Sequence, residues 1–209
     1  MVGRIIETDA CVIEGAEWLC ANVPCFVPVL DATGPLPLRR KKDGFETLLN
    51  AIVGQQVSVA AADAIWRRLK DAKLTGPRKI LAASDEDLRG AGLSSQKVRY
   101  ARALAEARIN FKGLRDVSDA DVIAELTQVT GIGVWTAEIY AMFSLGRADV
   151  FAHGDLALQE AAKHMLNLEK RPTEREMRGL AEPWSPWRSV AARALWAYYR
   201  VVKQREGIR

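Results

Sequence analysis

Residues 126–159 read LTQVTGIGVWTAEIYAMFSLGRADVFAHGDLALQ, and the fold turns on this stretch. The tight turn Thr130-Gly131-Ile132-Gly133 separates a helix ending near Leu126 from an almost wholly apolar helix over Val134 to Leu145. Two glycines around one apolar residue let the backbone turn sharply and expose amide N–H groups where the next helix begins. Such a helix start attracts anions through unpaired donors and the helix dipole, and a phosphate fits there. Ile132 is expected to plug the turn into the core. A corner whose glycines serve geometry alone would use the same residues. Further on, Asp155 opens an apparent helix from Leu156 to Leu166 and has the pattern of an N-cap.

Outward from this stretch the periodicity stays helical, and no segment alternates as a strand would. Phe45, Leu48, Leu49 and Ile52 recur on one helix face, and Val59, Ala62, Trp66 and Leu69 do so after a cap at Ser58. Ser84 with Asp87, Ser118 with Asp121 and Thr173 with Glu176 resemble capping boxes. The reading is an all-α protein of about ten helices with short loops, in the usual range of helix lengths. Thr33 to Asp43, with Pro35, Pro37 and the run Arg39-Arg40-Lys41-Lys42, is the best candidate for a long surface loop.

Composition narrows the function classes. The 209 residues are 49% hydrophobic and 27% charged, with a net charge of +4. No apolar run approaches the roughly 18 residues of a spanning helix, and no secretory leader pattern opens the chain, so neither a membrane nor a secreted protein is expected. The expected location is cytoplasmic, with the nucleoid if the source is bacterial. Cys11, Cys20 and Cys25 lack metal-ligand spacing and read as reduced thiols, and two histidines are too few for a His-rich metal centre. Between Arg67 and Arg115 there are 13 basic residues against 5 acidic. That surplus suits a polyanionic partner, although solvated helix faces would also carry it.

The pattern L-x-x-V-x-G-I-G-x-x-T-A, followed by Asp149-Val150-Phe151-Ala152-His153-Gly154-Asp155, resembles the helix-hairpin-helix and catalytic loop of the HhH-GPD superfamily of DNA glycosylases. The likeness extends to Ile52-Val53-Gly54-Gln55-Gln56-Val57-Ser58, to Gly92-Leu93-Ser94 with Lys97, and to residues 184–191, WSPWRSVA. Together these blocks are similar to the DNA-3-methyladenine glycosylase II family over roughly residues 44 to 200. Three departures stand out. The bacterial type member carries an N-terminal β-rich domain for which the first 43 residues are too few. Ala152-His153-Gly154 stands where prolines and a second acid are common, and Thr130 where proline is frequent.

The resemblance implies two helical lobes with the active site in a cleft between them. Lobe one would span about 44–130, lobe two about 1–43 with 145–209, and the hairpin about 122–145. It implies a monofunctional enzyme that hydrolyses the N-glycosidic bond of alkylated purines such as 3-methyladenine and 7-methylguanine, initiating base excision repair. A glycosylase for deaminated or otherwise damaged bases, or a hairpin module that only binds DNA, would share much of the pattern. Asp155 takes the catalytic position. Trp135 and Trp196 take base-pocket positions, and Tyr140 is a weaker candidate because the family's tyrosine aligns with Ile139. By periodicity alone Trp135 would serve equally as core, whereas Trp196 lies off the apolar stripe of the last helix. Electron-rich rings suit cationic alkylated bases.

Gly131 and Gly133 would anchor a phosphate through their N–H groups, with Thr136 beside them. Gln56 takes the position that fills the gap left by a flipped nucleotide, with Gln55 and Ser58 alongside. Ser95, Lys97 and Arg99 lie in the basic stretch and are expected at phosphates. The carbonyls of Thr127, Val129 and Ile132 could hold a monovalent cation, Na or K. Bifunctional relatives carry a lysine two residues after the second hairpin glycine, where this chain has Trp135, so no lyase step is expected. The four C-terminal cysteines of iron–sulfur members have no counterpart, so no iron–sulfur cluster is expected. The expected partner is double-stranded DNA containing damaged bases, bound by a monomer.

Overall fold

A computed structural model describes residues 2–205. Its α-helices are α1 (Asp9–Asn22), α2 (Val27–Thr33), α3 (Phe45–Gly54), α4 (Val59–Asp71), α5 (Pro77–Ala82), α6 (Asp85–Gly90), α7 (Ser95–Glu106), α8 (Asp119–Thr127), α9 (Val134–Tyr140), α10 (Leu156–Met165), α11 (Glu174–Leu180) and α12 (Arg188–Arg205). The described residues form no strand; one isolated antiparallel bridge pairs Ile5 with Arg147. The architecture is all-α. Helices α5 and α6, six residues each, are too short for a 3.6-residue period to register, and it is the Ser84 cap that marks α6 in the sequence. No helix among the described residues is long and apolar enough to cross a membrane.

The chain divides into two compact units, one built from residues 41–140 and the other from 3–40 with the segment after 140. The division at Tyr140 falls inside the apolar helix expected over Val134–Leu145. There the α-helix ends, and Ala141–Leu145 form a π-helical turn instead.

In the first unit α3 packs on α4 and α7, α5 on α7, and α8 on α9. Leu48, Leu49 and Ile52 are buried as their stripe requires. On α4 the buried face runs through Ile65 and Leu69, while Val59 stays 79% exposed. Val59 is the first residue after the Ser58 cap, whose side chain accepts the Ala61 N–H, and the core begins only a turn later. Ser84 and Thr173 form full capping boxes with Asp87 and Glu176. Ser118 accepts the Asp121 N–H as an ordinary N-cap. Each cap satisfies donors that a helix start leaves unpaired, worth about 1 kcal/mol.

In the second unit α12 packs on α10, α2 and α1. From Ser189 to Leu195 every residue of α12 is buried, Arg193 included. The segment from Gly34 to Gly44 is non-helical, as its prolines and charges predict.

Candidate active site and nucleic-acid interface

The segment from Asp149 to Asp155 lies in the second unit and is clamped at both ends. Arg188, the first residue of α12, donates two hydrogen bonds to the Asp149 carboxylate at 2.7 Å, and the Ser185 hydroxyl donates a third at 2.8 Å. Bidentate pairing of this kind fixes direction as well as distance. Between the clamps, Phe151 makes edge contacts with His153 and Trp184, at 5.2 and 5.3 Å between ring centroids. Gln159 donates to the His153 carbonyl at 2.9 Å. Side-chain clamps thus supply the stiffness that prolines would otherwise give this loop, and Asp149 is structural.

The loop delivers Asp155 as the N-cap of α10. Its Oδ1 accepts the N–H groups of Ala157 and Leu158, at 2.9 and 3.0 Å, and the indole Nε1–H of Trp196 at 3.2 Å. Three donors converging on one oxygen fix the orientation of the carboxylate. Capping and site-building are therefore one arrangement. Trp196 is half-buried and packs on Phe143 of the π-helical turn, with ring centroids 5.7 Å apart and the planes tilted by 35°. Under Phe143 lies Arg193, with its guanidinium carbon 4.7 Å from the ring centroid. The sequence and its family resemblance single out Asp155 and Trp196 but not Phe143 and Arg193 beside them. The usable signal was spacing: Arg193 and Trp196 are i, i+3 neighbours on the same face of α12.

The first unit carries the hairpin. α8 runs to Thr127, the turn follows, and α9 starts at Val134. Ile132 is buried, as a plug should be. Gly131 has φ +98°, and a Cβ there would lie 2.3 Å from the Tyr100 ring, so two separate constraints demand glycine. Gly133 is exposed, and a Cβ there would meet nothing within 4 Å. No packing among the described residues calls for glycine at 133. Trp135 is 47% exposed, which decides against its core reading. Gln56, Ser58 and Ser95 are all exposed, and Gln56 holds a left-handed φ of 54°.

Four expected contact residues are placed differently. Lys97 is only 8% exposed, and its Nζ donates to the Val53 carbonyl at 2.6 Å, near the C-terminal end of α3. Burial pushes its pKa down. It serves as a helix C-cap and not as a phosphate contact. Gln55 donates to the Gly131 carbonyl at 2.9 Å and is a strut for the hairpin. Thr136 is buried and is withdrawn from the phosphate-facing set. Tyr140 is 2% exposed, with its hydroxyl accepting the Gly44 N–H at 2.8 Å and its ring against Phe111. Its pKa is pushed up to about 12, chiefly by burial. Tyr140 is a scaffold residue and not a pocket wall.

Proteins of similar sequence and structure are known. A family profile described as HhH-GPD superfamily base excision DNA repair protein matches residues 49–186. The chain belongs to the HhH-GPD superfamily. Within it, DNA-3-methyladenine glycosylase 1 of Schizosaccharomyces pombe is 33% identical over 165 residues, covering 75% of this chain and 72% of that protein. DNA-3-methyladenine glycosylase 2 of Escherichia coli K12 is 30% identical over 172 residues, covering 74% of this chain and 57% of that one. The crystal structure of a DNA-3-methyladenine glycosidase from Bacillus halodurans superposes with a TM-score of 0.82 at 32% identity, covering 97% of this chain and 95% of its own. The S. pombe 3-methyladenine DNA glycosylase in complex with abasic DNA gives 0.75 at 30% identity, covering 88% and 95%.

Within this HhH-GPD chain the reassignment of Lys97 has a measurable consequence. Lys97→Met keeps the length of the side chain but leaves the Val53 carbonyl without its donor. The expected cost is about 1–3 kcal/mol, or several degrees in Tm, with affinity for a DNA duplex unchanged. Thermal denaturation beside a duplex titration checks it. Normal stability with weakened DNA binding would return Lys97 to the interface.

Proposed function

We propose that this chain is a monofunctional DNA glycosylase that hydrolyses the bond between deoxyribose and an alkylated purine, 3-methyladenine and 7-methylguanine among them. The observation that carries the reading is the Asp155–Trp196 pair, a carboxylate oriented by an indole that is partly exposed to solvent. A methylated purine carries positive charge in the nucleotide and departs as a neutral base, so it needs no strong general acid. Its departure leaves an oxocarbenium-like sugar. The Asp155 carboxylate stabilises that cation, and a water oxygen bonds to C1′ and releases one proton. Trp196 offers a ring face to a cationic base, and the exposed Trp135 is assigned to base binding on the family resemblance alone. The substrate class is supported by relatives whose names specify 3-methyladenine.

Double-stranded DNA with damaged bases is the partner in this reading, bound by a monomer beside the genome. The N–H groups of Gly131 and Gly133 anchor a phosphate, with Ser58 and Ser95 as further contacts, and Gln56 fills the gap in the stack. The carbonyls of Thr127, Val129 and Ile132 form an uncharged oxygen donor set that suits a monovalent cation, which would reinforce the hairpin's attraction for phosphate. The described residues contain no group of three or more His, Cys, Asp or Glu side chains placed to hold a metal.

Chromatography of bases released from methylated duplex DNA tests the proposal. The expected products are free methylated purines and an abasic strand that breaks only on heating in alkali. With Trp135 at the lysine position, borohydride should trap no covalent complex. DNA binding without base release would leave a binding module, and release confined to deaminated bases would leave a glycosylase of another specificity.

A further inference from the structure

We infer that Arg39, Arg40 and Arg200 form a second phosphate-binding site, beside the Asp155–Trp196 pair, for the DNA backbone next to the target nucleotide. The inference rests on the glycosylase reading and adds a site on the second unit.

Arg39, Arg40 and Arg200 are exposed, and Arg193 is 1% exposed. None of the four has a carboxylate partner among the described residues. Arg193 spends its donors on neutral acceptors: the Ser189 hydroxyl and carbonyl at 2.6 and 2.8 Å, and the Leu38 carbonyl at 3.3 and 3.0 Å. The two bonds to Leu38 pin the loop one residue before Arg39, which holds a left-handed φ of 52°. A non-glycine residue kept there is strained, and such strain persists where the surroundings impose it. Arg40 packs against Gly146, where a Cβ would lie 2.3 Å from its guanidinium, and reaches to 3.5 Å from the Phe143 carbonyl.

The charges are close enough to feel one another. Burial, then Arg39 and Arg40, pull the Arg193 pKa down to about 10, and Arg200 adds to the burial that lowers Arg39. Mutual repulsion of this kind opposes folding and has no acid to offset it. A phosphodiester would offset it, because guanidinium forks match phosphate oxygens in geometry and charge. Location favours the DNA backbone over other polyanions. Phe143 contacts Arg40 through its carbonyl and both Arg193 and Trp196 through its ring, and Trp196 donates to Asp155. A strand that presents its base to Asp155 and Trp196 therefore carries its phosphates past this loop.

The test titrates the full-length chain with a duplex containing an abasic-site analogue, between 50 and 200 mM salt. Each lost phosphate contact lowers the slope of log K against log salt by about 0.9. Arg39→Gln with Arg200→Gln should lower it by roughly 1.8, with Tm unchanged or raised because repulsion is relieved. Lysines at both positions should keep the slope, which separates a charge effect from a folding defect. Arg178→Gln removes the same charge from a guanidinium already paired with Glu174 at 2.5 Å, and should leave the slope alone. An unchanged slope in the double variant, or an equal fall in the Arg178 control, overturns the site. Failure of the glycosylase reading shows separately, as wild-type protein that releases no base from methylated DNA.

Discussion

Asp155→Asn is expected to lower the rate of base release about 10³-fold, roughly 4 kcal/mol of transition-state stabilisation, while leaving affinity for an undamaged duplex within about twofold. The substitution isolates charge from architecture. Asn is as good an N-cap as Asp, and its Oδ1 can still accept the Ala157, Leu158 and Trp196 donors that hold Asp155. Helix α10 and the indole should therefore stay in place. What disappears is the negative charge facing a sugar that becomes cationic only in the transition state, so k falls and binding does not. Single-turnover excision of 3-methyladenine with parallel Tm measurement decides it. Full activity in a folded variant would remove Asp155 from the mechanism.

The two hairpin glycines should part company. Gly131→Ala places a Cβ into the Tyr100 ring at φ +98°, so both a clash and a left-handed backbone must be accommodated. Each costs about 1–3 kcal/mol, and a chain of this size loses about 2–4 °C per kcal/mol. A Tm drop of roughly 10 °C is expected, with hairpin function lost alongside. Gly133→Ala meets no atom of the protein and should keep its Tm, or gain slightly from a stiffer unfolded chain. If the backbone at 133 approaches a phosphate closely, that alanine should weaken binding to damaged and undamaged duplexes alike. Scanning calorimetry and paired duplex titrations read both effects. Normal DNA affinity in Gly133→Ala would mean that the hairpin is not a backbone anchor.

The contact residues show where reading from sequence stops. Gln55, Gln56 and Ser58 stand within four positions of one another, yet Gln55 turns inward to the Gly131 carbonyl while Gln56 and Ser58 stay exposed. Lys97 belongs to a basic stretch and, by composition, looks solvated. Its ammonium instead finds the Val53 carbonyl 44 positions earlier in the chain. Tyr140 and Ile139 are neighbours in an apolar helix, and only the Gly44 amide shows that Tyr140 is the one engaged inside the unit. Charge and polarity in one dimension do not say which of several acceptors a long side chain will reach.

The family resemblance singled out Asp155 and Trp196 as candidates, while by itself the sequence determined the all-α class, the capped helix starts and the hairpin. These depend on local rules: a 3.6-residue period, a hydroxyl or carboxylate one residue ahead of a helix, and glycines where the backbone must turn. Tertiary structure alone decided that Asp155 and Trp196 share a hydrogen bond across 41 positions, and that Arg193 is buried beneath Phe143. It also decided that Gly131 is demanded by Tyr100 whereas nothing among the described residues demands Gly133. Such pairings form when packing brings distant segments together, and their energies lie in burial and long-range hydrogen bonds that no window of sequence contains.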